Sequence, residues 1–308
     1  MSASPACRLW KGACTMLFIT HLINGLQMGA IYALVALGYT MVYGIIKLLN
    51  FAHGDIIMVG GYIALFSITL GRMPAVLAAL VTVAGCTLIA IIIEKLAYTP
   101  LRLAPRLSLL ITAIGISILL QNLAQFFFSA NNRPFPGHLF FPVGSVSLGG
   151  MSLAYTSIIT IALSIASMAA LHVLVRSTKL GKAMRAVSED QGAAQLMGIN
   201  VNHIITFTFA VGAALAGVGA LLFAVRFPLI APTIGVMLGL RSFVAAVFGG
   251  IGSIPGTMVG GFAIGFLEAL VVAAGLSGWV DGAVFLLLII VLMVRPTGLM
   301  GRPIMEKV

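Results

Sequence analysis

Residues 49–62 read LNFAHGDIIMVGGY, and four of them return later in the chain. Met58-Val59-Gly60-Gly61 recurs as Met258-Val259-Gly260-Gly261, followed in each case by an aromatic residue, Tyr62 or Phe262. Each copy adjoins a glycine-bearing tip. The first is Asn50-Phe51-Ala52-His53-Gly54-Asp55, and the second is Gly249-Gly250-Ile251-Gly252-Ser253-Ile254-Pro255-Gly256. The repeat predicts two parallel halves, each with a long span, a short bent piece, a tip and a returning helix. In this register 204–225 answers to the first span and 241–252 to 41–52. Interrupted helices at equivalent places in a repeated membrane fold point to the transport route.

The surroundings of the tips decide the class. The chain has 308 residues, of which 61% are hydrophobic and 8% charged, and a mean hydropathy of +1.16. A soluble domain carries about 25% charged residues. Apolar runs near the ~20 residues needed to cross hydrocarbon as a helix fall at 17–37, 75–94, 108–128, 153–175, 204–225, 257–274 and 279–295, with a shorter one at 55–70. Two pieces, 38–50 and 241–252, are too short to cross comfortably. The runs are continuous, whereas β-barrel strands alternate. The expected fold is an all-α, polytopic integral membrane protein with about eight long spans plus two short interrupted helices. Its two repeats flank the pair 108–128 and 153–175. Residues 1–16 read as an extension, 17–303 as one membrane domain and 304–308 as a tail.

The net charge of +10 is distributed as basic loops, and this argues against nucleic acid as a partner. Loop 95–107 holds Lys95, Arg102 and Arg106; loop 176–203 holds Arg176, Lys179, Lys182 and Arg185; the end holds Arg295, Arg302 and Lys307. The positive-inside rule places these in the cytoplasm. With the short piece 38–50 as a separate leg, Arg8 and Lys11 join them, so both termini are expected to be cytoplasmic. The apolar stretch after Lys11 lacks a clear small-x-small cleavage site and reads as an uncleaved first span. Cys7, Cys14 and Cys86 have neither metal nor redox spacing, so no disulfide framework is expected.

An ionised Asp55 exposed to lipid would cost about 2.5–3.5 kcal/mol or more at the bilayer centre, so it must face protein, water or the interface. Two compatible roles follow. Asp55 begins the returning helix, where a carboxylate suits the dipole and free N–H groups, and with Asn50, Phe51, His53 and Gly54 it lines a route or gate. One His and one Asp do not make a metal site. Glu268 reads as a helix-packing partner for a polar neighbour. In the second tip no Lys-Ser or Lys-Thr follows the glycines, so nucleotide binding is rejected. There Gly249, Gly250, Gly252 and Gly256 allow a sharp turn and Pro255 ends a helix, and Gly249, Gly250, Gly252 and Ser253 join the candidate route or gate. The scattered His and acidic residues offer no convergent catalytic set.

Loop 176–203 reads as two short helices. Ser188 and Gln191 form a capping box, Glu189 and Asp190 fill the first turn, and Gly198 stands at C′. Ala193, Ala194 and Met197 share a face. A helix of about nine residues is unstable alone, so it needs a partner, and a soluble one is preferred.

The stretches ALGYTMVYGIIKLLNFAHGDIIMVGGY, ITAIGISILLQN, GKAMRAVSEDQGAAQLMGIN, AVFGGIGSIPGTMVGG and VRPTGLMGRP resemble, in order, the inner-membrane permease subunits of high-affinity branched-chain amino-acid ABC importers (LivH-type). The resemblance runs from about Leu22 to Pro303. It implies a multi-pass protein of the bacterial inner membrane that works with a second related permease, two ATPase subunits that bind the ATP, and a periplasmic amino-acid-binding protein. The permease itself then needs no cofactor. It also implies that 181–200 holds the element docking into an ATPase, with Gly181, Arg185, Ala186, Glu189, Asp190, Ala193, Ala194 and Gly198 as the coupling residues. A urea or short-amide importer and an ion-coupled secondary transporter are the alternatives.

Overall fold

The computed structural model describes residues 5–47, 50–102, 104–148 and 151–301; the expected tail 304–308 lies outside them. The helices among these residues are α1 (Pro5–Ile46), α2 (His53–Thr69), α3 (Ala75–Ile93, continued by a π-helical turn Glu94–Tyr98), α4 (Arg106–Phe128), α5 (Tyr155–Ser177), α6 (Lys179–Glu189), α7 (Gln191–Leu196), α8 (Val201–Arg226), α9 (Ile234–Gly249), α10 (Ile254–Ala273) and α11 (Val280–Val294). Seven are long and apolar enough to cross a membrane, while α2 and α9 are shorter apolar helices. Strand content is slight: β1 (Arg133–Pro134), β2 (Ser145–Leu148), β3 (Met151–Ala154) and β4 (Leu229–Ile230).

The all-α polytopic architecture is as expected, but its legs are arranged differently. Residues 38–46 are not a separate bent piece; they continue α1, which ends where Lys47 turns into the left-handed region at φ 56°. The corresponding place in the second half is broken by Pro228 and Pro232, whereas the first span meets no proline between Pro5 and Pro74. From Pro5 the supposed extension 1–16 is helical and continuous with the span.

This changes the topology. Ile45 accepts a hydrogen bond from Gln191 of α7 at 3.2 Å. At the other end of the crossing, Asn24 meets Arg226, the last residue of α8, at 3.5 Å. The described beginning of α1 therefore lies on the face opposite α6 and α7, where the bent reading put it on the same face. Arg8 and Lys11 leave the basic face, yet Lys95, Arg102, Arg176, Lys179, Lys182 and Arg185 still occupy it. The register of the repeat is also narrower than expected. The α9–tip–α10 unit answers to residues 34–46, the first tip and α2, but α8 runs opposite to α1 and is not its equivalent.

The innermost spans are α1, 83% of whose most apolar window is buried, and α8 at 67%. The pair α4 and α5 is central in sequence but peripheral in space, 17% and 22% buried by the same measure. It presents residues such as Ile111, Leu119 and Ile165 outward, as lipid-facing surface should.

Small residues let α1 and α10 cross closely. Gly25, Gly29 and Ala33 run antiparallel to Ala269, Gly265 and Gly261: a carbon added at Gly25 would sit 2.6 Å from Ala269 Cβ, and one at Gly29 would sit 2.8 Å from Phe262 Cα. Such spacing is the small-xxx-small mode of membrane helix association. A carbon added at Gly265 would strike the backbone of Gly25 and Gly29, which cannot swing aside. Gly265→Ala should therefore destabilise the purified chain by about 1–3 kcal/mol, read as earlier loss of monodispersity on heating. Wild-type behaviour would contradict this packing.

Candidate functional site

The first tip lies halfway across the molecule. Cys86, midway along α3, approaches the Ile56 carbonyl with its sulfur at 3.6 Å. Gly212, midway along α8, is where a carbon would come 3.3 Å from the Gly38 oxygen of α1. Asp55 sits at the same depth and is 1% exposed. Its helix begins without a side-chain cap, and the carboxylate does not satisfy its own N–H groups. It accepts instead from Ser117 Oγ and from Gln121 Nε2 (3.1 Å), both of α4, while Gln121 also donates to Ser117 at 3.1 Å. The reading of Asp55 as buried in protein holds, whereas the capping role is replaced by a contact across to a neighbouring span. Ser117 and Gln121 were absent from the sequence candidates. Their only local signal is polar residues four apart on an apolar helix.

The other tip residues face elsewhere. His53 is buried, its ring 4.8 Å from that of Tyr39 in an edge geometry, and its Nε2 has no hydrogen-bond partner. Asn50 accepts from the Tyr98 hydroxyl at 2.8 Å. Phe51 and Tyr39 both meet the ring of Phe243 of α9, tilted at 6.0 Å and edge-on at 6.4 Å between centroids. Gly54 meets α9 backbone to backbone. A carbon added at Gly239 would come 3.0 Å from Gly54 Cα, so only glycine permits this crossing. The first tip is thus a junction of α1, α2, α4 and α9 containing a buried imidazole whose Nε2 alone is unpartnered and a carboxylate bonded to neutral donors.

The second tip does not join it. Gly250 (φ 104°) and Gly252 (φ 94°) make the sharp turn expected of them. Pro255, however, starts α10 rather than ending a helix, and Ser253 caps it by accepting from Gly256 N at 3.3 Å. The turn is held by the chain's own end: Leu299 N donates to Phe248 O at 2.9 Å and Met300 N to Gly249 O at 3.0 Å. Gly249, Gly250, Gly252 and Ser253 therefore lie at the α6–α7 end of α9, against the segment after Arg295.

Glu268 packs against polar neighbours, as expected. It accepts from the Tyr32 hydroxyl at 3.0 Å and pairs with Arg241 at 3.2 Å. Arg241 also donates to Tyr32 (3.1 Å) and, at 2.6 Å, pairs with Asp281 at the start of α11.

Loop 176–203 forms two helices, with a cap that differs from the expected one. The first, α6, is capped by Thr178, which accepts from Gly181 N at 3.0 Å. In the second, Asp190 is the cap, accepting from Ala193 N at 2.9 Å. Ser188 instead donates to Arg185 O at 2.7 Å within α6, and Glu189 is the last residue of α6. An ionised cap at that break outcompetes a serine that is already engaged. Gly198 (φ 80°) ends α7 as foreseen. Gly181 and Ala194 are buried and Ala186 partly so, whereas Arg185, Glu189, Asp190, Ala193 and Gly198 are exposed. Met197, expected on the face that needs a partner, is 82% exposed at the end of α7, and beside it sequence reasoning missed Leu196, 90% exposed. Beside them an open cleft of about 640 Å³ is lined by Arg102, Gln191, Gln195, Asn200 and Asn202, among others.

The Asp190 cap is testable. Asp190→Ala should lose about 1 kcal/mol of local helix stability, seen as faster amide exchange over 191–197, while Asp190→Asn should retain it. Equal exchange in both would refute the cap.

Among the described residues no group of three or more His, Cys, Asp or Glu is placed to hold a metal ion. The family described as branched-chain amino acid transport system / permease component matches residues 21–293. The chain is 42% identical over 94% of its length, and 98% of the relative's, to the high-affinity branched-chain amino acid transport system permease protein BraD of Pseudomonas aeruginosa. It is 40% identical, with the same coverage, to the permease protein LivH of Escherichia coli K12. A solved structure, PsaBC from Streptococcus pneumoniae in complex with Fab, overlaps 89% of this chain and 91% of its own at a TM-score of 0.48 and 17% identity, too distant to inform the site.

Proposed function

Since this chain belongs to the branched-chain amino acid transport permease family, we propose that it is a membrane-spanning subunit of an ATP-driven importer for branched-chain amino acids. It works in the inner membrane beside a second, related permease. Two ATPase subunits bind and hydrolyse the ATP, and a periplasmic binding protein delivers the amino acid. The permease itself requires no cofactor.

The observation that carries this reading is the α6–α7 element. It stands on the basic face, which the positive-inside rule makes cytoplasmic, and it holds out an apolar pair, Leu196 and Met197, that the described residues leave uncovered. A six-residue helix does not stand alone in water. An ATPase groove seating it would support α7 and cover those two side chains. Arg185, Glu189, Asp190, Ala193 and Gly198 lie on the accessible side of this element, while Gly181, Ala186 and Ala194 anchor it to the spans. Movement of α7 passes to α1 through the Gln191–Ile45 bond, and α1 is locked to α10 by its glycine seam.

The route is assigned to the mid-depth junction: Asn50, Phe51, His53, Gly54 and Asp55, joined by Ser117, Gln121 and Phe243. The turn Gly249–Ser253 hinges α9 against α10 at the cytoplasmic end, and this is how it takes part in gating. Few fixed charges line the junction, which suits a passage that releases a zwitterion; selectivity then rests with the binding protein.

The test is uptake of labelled leucine, isoleucine, glutamate and urea into proteoliposomes holding the whole complex, with ATP or with ATP plus vanadate. Vanadate-sensitive uptake of leucine and isoleucine is expected. Uptake of urea alone would keep the architecture and overturn the substrate; uptake indifferent to ATP would overturn the coupling.

A further inference from the structure

Seven residues along α2 from Asp55 stands Tyr62, and seven along α4 from Gln121 stands Phe128. That spacing is nearly two turns of helix, about 10.5 Å of rise, so the two pairs lie on one seam. At its inner level Asp55 accepts from Gln121. At its outer level the ring of Tyr62 stacks on that of Phe128, 4.7 Å between centroids. Phe66, one turn further on, closes on Phe128 at 4.7 Å and on Tyr62 at 6.2 Å. The three rings thus stand between the carboxylate and the face opposite α6 and α7. Tyr62 is 1% exposed, yet its hydroxyl has no hydrogen-bond partner among the described residues. A buried tyrosine ordinarily finds one. In this arrangement a phenylalanine would fill the same space without that penalty.

A strap lies over the rings. β1 and β4 join the segment after α4 to the segment after α8, pairing Arg133 with Ile230 and Pro134 with Leu229. Arg133 donates through Nε to Phe128 O at 3.0 Å and holds its guanidinium 5.6 Å from the centroid of Phe66. Ile230 rests on α2 beside Tyr62: a carbon added at Gly61 would come 3.4 Å from its Cδ1. We propose that Tyr62, Phe66 and Phe128 are the outer gate of the amino-acid route, and that the β1–β4 strap is the latch that holds it shut. This rests on the assignment of the route to the Asp55 junction. Ring stacking, a cation–π contact and one short strand pair can part and re-form without disturbing the glycine seam of α1 and α10. When the strap lifts, Arg133 leaves Phe66, and the Tyr62 hydroxyl gains a partner in the incoming zwitterion or its water. Between cycles the apolar lid shields Asp55 from the outer face.

Access from outside tests the gate. Spheroplasts making the complete importer with Ser117→Cys receive a membrane-impermeant thiol reagent, and the modified peptide is followed by mass spectrometry. Adding Phe128→Ala should speed that modification at least tenfold in the absence of binding protein. Equal modification of the two chains, with the site reached, would overturn the gate. A second variant removes no ring, so folding is not at issue. Pro134→Cys with Leu229→Cys places two exposed residues opposite each other in the strap, within reach of a disulfide. Oxidation should cut vanadate-sensitive leucine uptake into proteoliposomes at least tenfold, with capture of the binding protein unchanged, and a reductant should restore uptake. Full uptake with the disulfide confirmed by mass, or loss of binding-protein capture on oxidation, would overturn the latch. If Ser117→Cys is reached in neither chain, even when binding protein and leucine drive turnover, the route reading beneath the proposal fails instead.

Discussion

An Arg102→Ala chain should lose about 3–5 kcal/mol of stability, the cost of leaving a buried carboxylate without its cation. Glu94, in the π-helical turn after α3, is fully buried and pairs with Arg102, whose side chain is 19% exposed. It also accepts from Thr99 and Thr206, each at 2.8 Å, and Arg102 bonds Asn202 at the start of α8. Five side chains thus tie α3 to α8 at the basic face. Thr99 and Thr206 are neutral donors and do not replace the guanidinium. The readout is the fraction of monodisperse protein surviving a heating series. Pairing the change with Glu94→Gln should restore much of the loss, because no uncompensated charge remains. A single variant as stable as wild type, or a double variant no better than the single, would remove the pair from the account of how α8 is held.

The other large effect concerns function more than folding. Leu196→Asp should bring vanadate-sensitive uptake to background while the isolated chain melts within about 0.5 kcal/mol of wild type, since exposed positions contribute little to stability. Burying a leucine side chain in a partner stabilises the complex by roughly 1.5–3 kcal/mol, so its loss weakens docking about ten- to a hundredfold, and a carboxylate in that pocket weakens it further. Co-purification of the ATPase with this chain measures the docking directly. Full uptake and undiminished co-purification would show that α7 is not the docking element.

Both results turn on residues that the sequence marks unevenly. Arg102 was legible as part of a basic loop and Glu94 was unremarked, because their bond depends on how a π-helical turn brings the chain back. Leu196 carried no signal within a run of alanines and glutamines; only the fold reveals that it is left 90% exposed among the described residues. The Asp190 cap lies two residues from the expected Ser188. Local rules find a break in a helix to within a few residues, but two candidate oxygens are separated by which of them the neighbouring turn already uses. The bent piece at 38–50 came from stretching a four-residue repeat over a longer register, and the absence of proline there was the signal against it.

By itself the sequence determined the class, the approximate limits of most apolar helices, the basic face, the two-helix loop and the glycine turn at 249–256. Each of these follows from hydrophobic run length, charge count or backbone preference, which act over a few neighbouring residues or along one helix. Only the tertiary structure decided that α1 and α8 are innermost, that Asp55 bonds α4 rather than its own helix, and that the second tip is clasped by the chain's end. These are pairings across 50 or more positions. In an apolar chain nearly every helix face can pack on every other, so hydrophobicity does not distinguish partners. The choice falls to where two backbones can approach at glycine and where a buried polar group finds its donor, and both depend on the whole arrangement.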